Sequence, residues 1–273
     1  MAQQISDVRP SPIAGRWYPG DARRLVTSVD EWLTDAPVVA VDGRVLALVV
    51  PHAGHPFSGP VAARAFKAVQ GQSFDRVVIL SPYHNLHPGS VITTAHAAYE
   101  TPLGIVPVDN AFIAALDERL ELTRVRRDPE HAIEIEIPFL QRALDGAWTL
   151  VPLMLRDQRL AAAEALGGAL SELCDARTLL VASSDLSHFY TDDAARQLDQ
   201  VMLTRIEALD PAGVIRVEDE GQAFACGRAA IAAVLVAAKQ LGARQAQVVG
   251  YATSGDTTGD RQRVVGYGAA VIA

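Results

Sequence analysis

The chain has 273 residues, 49% of them hydrophobic and 21% charged, with a formal net charge of −8. That much apolar material supports a large buried core and excludes a disordered or fibrous chain. Lysine and arginine are scattered, which argues against a nucleic-acid footprint, and no uncharged run is long enough to span a membrane.

Residues 1–7 lack the basic-then-apolar pattern of a secretory signal, and two cysteines, Cys174 and Cys226, are too few for a disulfide scaffold. Both features fit a reducing cytoplasm. The segment 8–20, rich in Pro, Gly and aromatics, reads as an ordered arm. Helical spacing of Leu25, Val26, Val29 and Leu33 then predicts a helix over 21–33. Short, continuous apolar runs at 45–50, 77–80, 150–155, 179–182, 248–251 and 264–272 suit strands buried on both faces. Between them, 60–69, 130–144, 161–173, 193–209 and 228–241 read as helices, and 88–104 as a small antiparallel excursion. The stretch 254–260 reads as a polar, Gly-rich loop. The alternation predicts one α/β domain over 1–273, with a central mixed, largely parallel sheet covered by helices.

Three apolar runs deliver chemistry just past their ends: His52 after 45–50, His84 after 77–80, Asp185 and His188 after 179–182. In open α/β sheets the ligand crevice lies outside the carboxyl ends of the strands. A solitary histidine after a strand is usually a polar loop residue; three such positions on one edge point to a site. Cys226 precedes the helix expected at 228–241, where a helix N-terminus lowers a thiol pKa. It reads as a nucleophile, a soft metal ligand or a small buried hydrophobe; Cys174 reads as structural. The i, i+3 spacing of Asp185 and His188 would let the carboxylate orient the imidazole for proton transfer. His131 and Glu134, spaced alike, read as capping and packing residues, and His55, His87 and His96 as surface or supporting positions. No dinucleotide fingerprint, Walker A lysine or nucleophile elbow is present. A cysteine-dependent hydrolase, with Cys226 as nucleophile and His188 as base, is one alternative function.

The segments PHAGH (51–55), SPYH (81–84), EHAIEIEIPFL (130–140), SSDLSH (183–188) and CGR (226–228), with GRWYPG (15–20), resemble the Memo family in order along nearly the whole chain. That family is named for a mediator of ErbB-driven cell motility, and its bacterial and archaeal members are called AmmeMemoRadiSam system protein B. The resemblance implies the fold of class III extradiol (LigB-like) dioxygenases, which use non-haem iron. It also implies a metal held at positions His52, His84 and Cys226, with Asp185 and His188 as the further pocket residues and His188 as the acid/base. A thiolate in place of the carboxylate of a 2-His-1-carboxylate triad softens the site, so copper or zinc compete with iron. The expected function is a metal-dependent, dioxygenase-like oxidoreductase acting on a small molecule or peptide. The alternative is a non-catalytic metal-binding or partner-binding protein linked to a radical-SAM system. A homodimer is compatible with the sequence.

Overall fold

Runs of Val, Ile and Leu between helices become strands because only a sheet covered on both faces buries them completely. In the computed structural model, which describes residues 5–273, the first six strands are β1 Val8–Arg9, β2 Ala47–Val50, β3 Arg76–Pro82, β4 Val91–Thr94, β5 Ala98–Thr101 and β6 Gly104–Pro107. They are followed by β7 Leu122–Val125, β8 Thr149–Leu155, β9 Thr178–Ser183, β10 His188–Tyr190, β11 Ala246–Thr253 and β12 Val264–Ile272. Residues 1–4, part of the segment read as lacking a secretory signal, lie outside the described residues.

The main sheet runs β10-β12-β2-β9-β3-β8-β4-β7, with β11 paired to β12. Its centre is parallel: β2 beside β9, β9 beside β3, β3 beside β8. Antiparallel pairing enters at β12 with β2, β10 and β11, and at β4 with β8. The sheet is therefore mixed, with a parallel centre, as expected. The antiparallel excursion is real but divided. Strand β4 joins the main sheet, while β5 and β6 form a hairpin that pairs with β1 in a small second sheet.

The helices are α1 Ala22–Asp35, α2 His55–Phe66, α3 Asn110–Asp117, α4 Ile137–Ala143, α5 Leu160–Leu173, α6 Asp192–Glu207, α7 Pro211–Asp219, α8 Arg228–Gln240 and α9 Ser254–Thr258. Helix α1 starts where Asp21 caps it by accepting from Arg24 N at 3.0 Å, and it buries Leu25, Val29 and Leu33. Helix α8, apolar nearly all round, lies between the sheet and α5. The helices touch closely at Gly167, where a Cβ would stand 2.6 Å from Ala233 O. The helix expected over 130–144 shrinks to α4, preceded by a single 3₁₀ turn at Glu134–Glu136. The cause is local: the Glu130 side chain takes the backbone N–H groups of His131 and Ala132, holding 130–133 out of a helix. The 254–260 loop contains the short α9, closed by a Thr253/Asp256 capping box. Among the described residues no helix is long and apolar enough to cross a membrane.

Candidate metal centre

Parallel strands end on the same edge, and the register makes three of them end together. Val50 stands beside Ser183, and Leu80 beside Ala182. His52, Asp185 and His84 follow those strands by two residues each, so their loops meet on one edge of the sheet.

The imidazoles of His52, His84 and His131 converge there, each offering one ring nitrogen within 4.8 Å of the others. The His84 and His131 rings stack with centroids 4.9 Å apart, and the His52 ring stands edge-on to both at 5.4 Å. The opposite nitrogens are occupied. Glu130 Oε1 lies 3.0 Å from His84 Nδ1 and 3.1 Å from His131 Nδ1. His52 Nδ1 lies 2.9 Å from Ser183 Oγ. The one hydroxyl proton of Ser183 has Ala132 O at 2.6 Å and Glu136 Oε1 at 2.9 Å to go to, so Ser183 accepts from His52 Nδ1–H. Each ring thus carries its proton on Nδ1 and keeps the Nε2 lone pair free, the tautomer a metal ion needs.

The electrostatics differ from ring to ring. Burial pushes the His52 imidazole well below the ordinary histidine value, and the neighbouring His131 and His84 add to that. Burial also lowers His84, but the Glu130 hydrogen bond and charge outweigh it, so the net shift is upward. Burial works to raise the Glu130 carboxyl; its bonds to His131 and His84 win and hold it well below the carboxylate range. It therefore sits behind the histidines as an anion.

The other expected site residues lie close by, in partly unexpected roles. Asp185 does not orient His188. Its Oδ1 accepts from His52 N at 2.8 Å and Ala53 N at 3.2 Å, which fixes the loop carrying His52. Burial pushes its carboxyl up to about 7. His188 donates from Nδ1 to Leu186 O at 2.7 Å, leaving Nε2 free. The segment turns into β10, not a helix, with Phe189 at φ 66, so the i, i+3 face is never formed. Cys226 Sγ stands 3.1 Å from His52 Nε2. The sequence predicts an acidic thiol here, yet burial, with the Asp185 charge adding to it, pushes it up and keeps it protonated. Cys174 is likewise pushed up to about 12 by burial.

A cavity of about 490 Å³ opens on these groups, lined by the histidines, Asp185 and His188 together with Trp17, Phe57 and Arg16. The N-terminal arm supplies Arg16 and Trp17, and the Trp17 ring lies 4.1 Å from that of His131. A larger groove of about 650 Å³ beside β6 holds no histidine or cysteine. The remaining histidines are mostly not at the surface. His55 is buried against Tyr18, Trp32 and Phe139, and burial takes its imidazole down to about 4. His96 is buried between Asp7 and Arg126 O. His87, partly exposed, accepts from Gly89 N at 3.1 Å.

A family model described as Memo-like protein matches residues 9–271. The chain belongs to the Memo-like family. Among its relatives, a MEMO1 family protein of Nitrosopumilus maritimus is 33% identical, over 96% of this chain and 98% of the relative. Another, from Methanopyrus kandleri, is 36% identical over 97% of this chain and 98% of the relative. Among solved structures, the uncharacterized protein JW3007 from Escherichia coli K12 superposes with a TM-score of 0.53 at 16% identity, over 84% of this chain and all of that one, a likeness of fold alone. In this Memo-like protein the set assigned by resemblance (His52, His84, Cys226) and the set gathered by geometry (His52, His84, His131) share two members. Cys226 meets the geometric set at His52, and His131 is the residue that sequence reasoning sets aside.

Proposed function

We propose that this Memo-like protein binds one transition metal ion at His52, His84 and His131, with Cys226 as a further donor, and uses it as an oxidoreductase on a small molecule held in the adjoining cavity. The feature that carries the reading is the common arrangement of the three imidazoles: every Nδ1 is tied down, and every Nε2 is turned away from those partners, that of His52 meeting only the Cys226 thiol. The mixed nitrogen and sulfur donor set favours iron or copper, with zinc competing. Such an ion would supply one-electron chemistry and open coordination positions.

The protein's own contribution is positional. Trp17 and Phe57 give the cavity an apolar wall beside the histidines. His188, lowered by burial and anchored through Nδ1, holds a free Nε2 that can accept or return a proton. Asp185, with its carboxyl near neutrality, is the second group able to exchange a proton there. The cysteine-hydrolase reading is weaker, because the buried thiol is pushed toward its protonated form and paired with a neutral imidazole.

The test is elemental analysis of protein purified without oxygen or chelators, followed by oxygen-uptake assays on the metal-loaded form. One metal ion per chain, lost in His84→Ala and His131→Ala, together with oxygen uptake that His188→Gln slows, supports the proposal. A tightly bound ion without turnover supports the metal-binding alternative, with a radical-SAM protein as the partner to seek. Metal content equal in wild type and the His84→Ala/His131→Ala variant overturns both.

A further inference from the structure

One short segment stands behind all three imidazoles. Glu130 accepts from His84 and His131 at Nδ1 and also takes His84 N at 2.7 Å through Oε2. Glu136 lies 2.9 Å from the Ser183 hydroxyl, which itself lies 2.9 Å from His52 Nδ1. Both carboxyl groups are almost fully buried; the Glu130 carboxyl is held down by its histidine partners, whereas burial pushes that of Glu136 well above its ordinary value. A third, Glu134, comes from the same segment and is buried too, but it faces the N-terminal arm, where it meets Arg9, Ser11 and Tyr18. Burying three carboxyl groups within seven residues is costly unless each is paired, or neutral and hydrogen-bonded. Glu134 has a partner in Arg9. The partners of Glu130 and Glu136 are the ligand rings, directly or through one hydroxyl.

We infer that Glu130 and Glu136 are the positioning residues of the metal centre, Glu130 acting directly on His84 and His131 and Glu136 acting on His52 through Ser183. The inference rests on the metal-binding reading above. A hydrogen-bonded Nδ1–H fixes the ring's tautomer and rotation and makes Nε2 a stronger donor, and loss of such a partner weakens metal affinity by about 10–100-fold. The two arms are separable, because no hydrogen bond joins Glu130 to Glu136 or Ser183.

Cobalt(II) loaded anaerobically into the full chain tests this by proton NMR in water, where exchangeable Nδ1–H protons of ligated histidines give large hyperfine shifts. Wild type is expected to show three such resonances. Glu130→Gln should displace or lose two of them and weaken cobalt binding about 10–100-fold, with Glu130→Asp restoring part of the affinity. Glu136→Gln and Ser183→Ala should move the third alone, and Glu134→Gln should move none. Should Glu130→Gln fail to fold, Ser183→Ala carries the same test on the His52 resonance. Resonances and affinity unchanged in both Glu130→Gln and Ser183→Ala overturn the inference while leaving the metal site standing. Absence of shifted resonances in wild type removes the metal reading itself and the inference with it.

Discussion

Cys226 Sγ lies 3.1 Å from His52 Nε2, so the free lone pair of that imidazole is met by a thiol. Burial keeps the thiol protonated and keeps His52 neutral, which makes the contact an S–H···N hydrogen bond between uncharged groups. An ion arriving at the cluster has to displace the thiol proton before sulfur can bind. Soft ions gain most from the exchange. Cys226→Ser is therefore expected to weaken Cu(I) binding by about ten-fold or more while changing Fe(II) binding far less. In weakly buffered solution near about pH 8, wild type should release about one proton per Cu(I) taken up and Cys226→Ser none. Competitive titration with a chromophoric chelator measures the first effect and a pH indicator the second. Equal Cu(I) affinity in both proteins would leave the sulfur outside the centre.

At His84 two effects oppose, and Glu130 decides the outcome. Burial lowers the imidazole, the carboxylate raises it more, and the net value lies above the ordinary 6.5. Proton and metal compete for the ring, so metal affinity is full above the His84 pKa and falls as pH drops through it. The fall in affinity should begin above pH 6.5, earlier than an isolated histidine would give. Glu130→Gln removes the anion and should move the onset to lower pH, whatever it does to the absolute affinity. Zinc titrations from about pH 8 down to about pH 5.5 read the midpoint. An unmoved midpoint in Glu130→Gln contradicts the account.

How much was legible follows from which forces act locally. The runs ending at Val50, Leu80 and Ala182 are apolar on both faces, so their strand ends, and with them His52, His84 and Asp185, could be placed from sequence. His131 follows no strand. The spacing of Ile133, Ile135, Ile137 and Leu140 predicts one continuous helix, whereas only Ile137 and Leu140 lie in α4; Ile133 and Ile135 are buried in the turn and 3₁₀ stretch that follow the Glu130 side-chain contacts. A usable signal is present nonetheless: Glu130, Glu134 and Glu136 interrupt an apolar run, and acids in such a place require partners. The spacing of Asp185 and His188 misleads because i, i+3 means proximity only in a helix. Here an exposed Phe189 adopts a left-handed backbone at φ 66 within a short strand instead.

Asp185 makes a pH-dependent contribution of definite sign. Its carboxyl rises from 3.8 to about 7 on folding, chiefly through burial. Between those values the folded protein holds a proton that the unfolded chain has released, so the metal-free protein loses stability as pH rises through that window. The full shift corresponds to at most about 4 kcal/mol. Asp185→Asn keeps an acceptor for His52 N and Ala53 N but cannot ionise. Urea unfolding of the metal-free variant should show this loss removed from about pH 4 to about pH 7, with greater stability than wild type at about pH 8. A wild-type stability that climbs throughout this range, with Asp185→Asn tracking it, would show the carboxyl to be ionised in the fold.

Gly227 joins the thiol to the sheet. Its N–H donates to Ser184 Oγ at 2.8 Å, and a Cβ at this position would stand 2.8 Å from Ser183 O and 2.9 Å from Ser184 Cβ. The obstacle is the end of β9, which cannot swing aside as a flexible side chain would. Gly227→Ala must therefore push Cys226 and the start of α8 away from the strand end that also carries the Ser183 contact to His52. Such overpacking is expected to cost about 1–3 kcal/mol of stability. It should also weaken Cu(I) binding, because the thiol moves off His52. Gly168→Ala supplies the contrast: it lies inside α5, where an added Cβ would meet nothing within 4 Å, and it should stabilise by about 0.5–1 kcal/mol. Thermal or urea denaturation of the two variants side by side decides the matter. Equal stability in Gly227→Ala and wild type would mean that the β9 end yields, and that the position of Cys226 is not set by this contact.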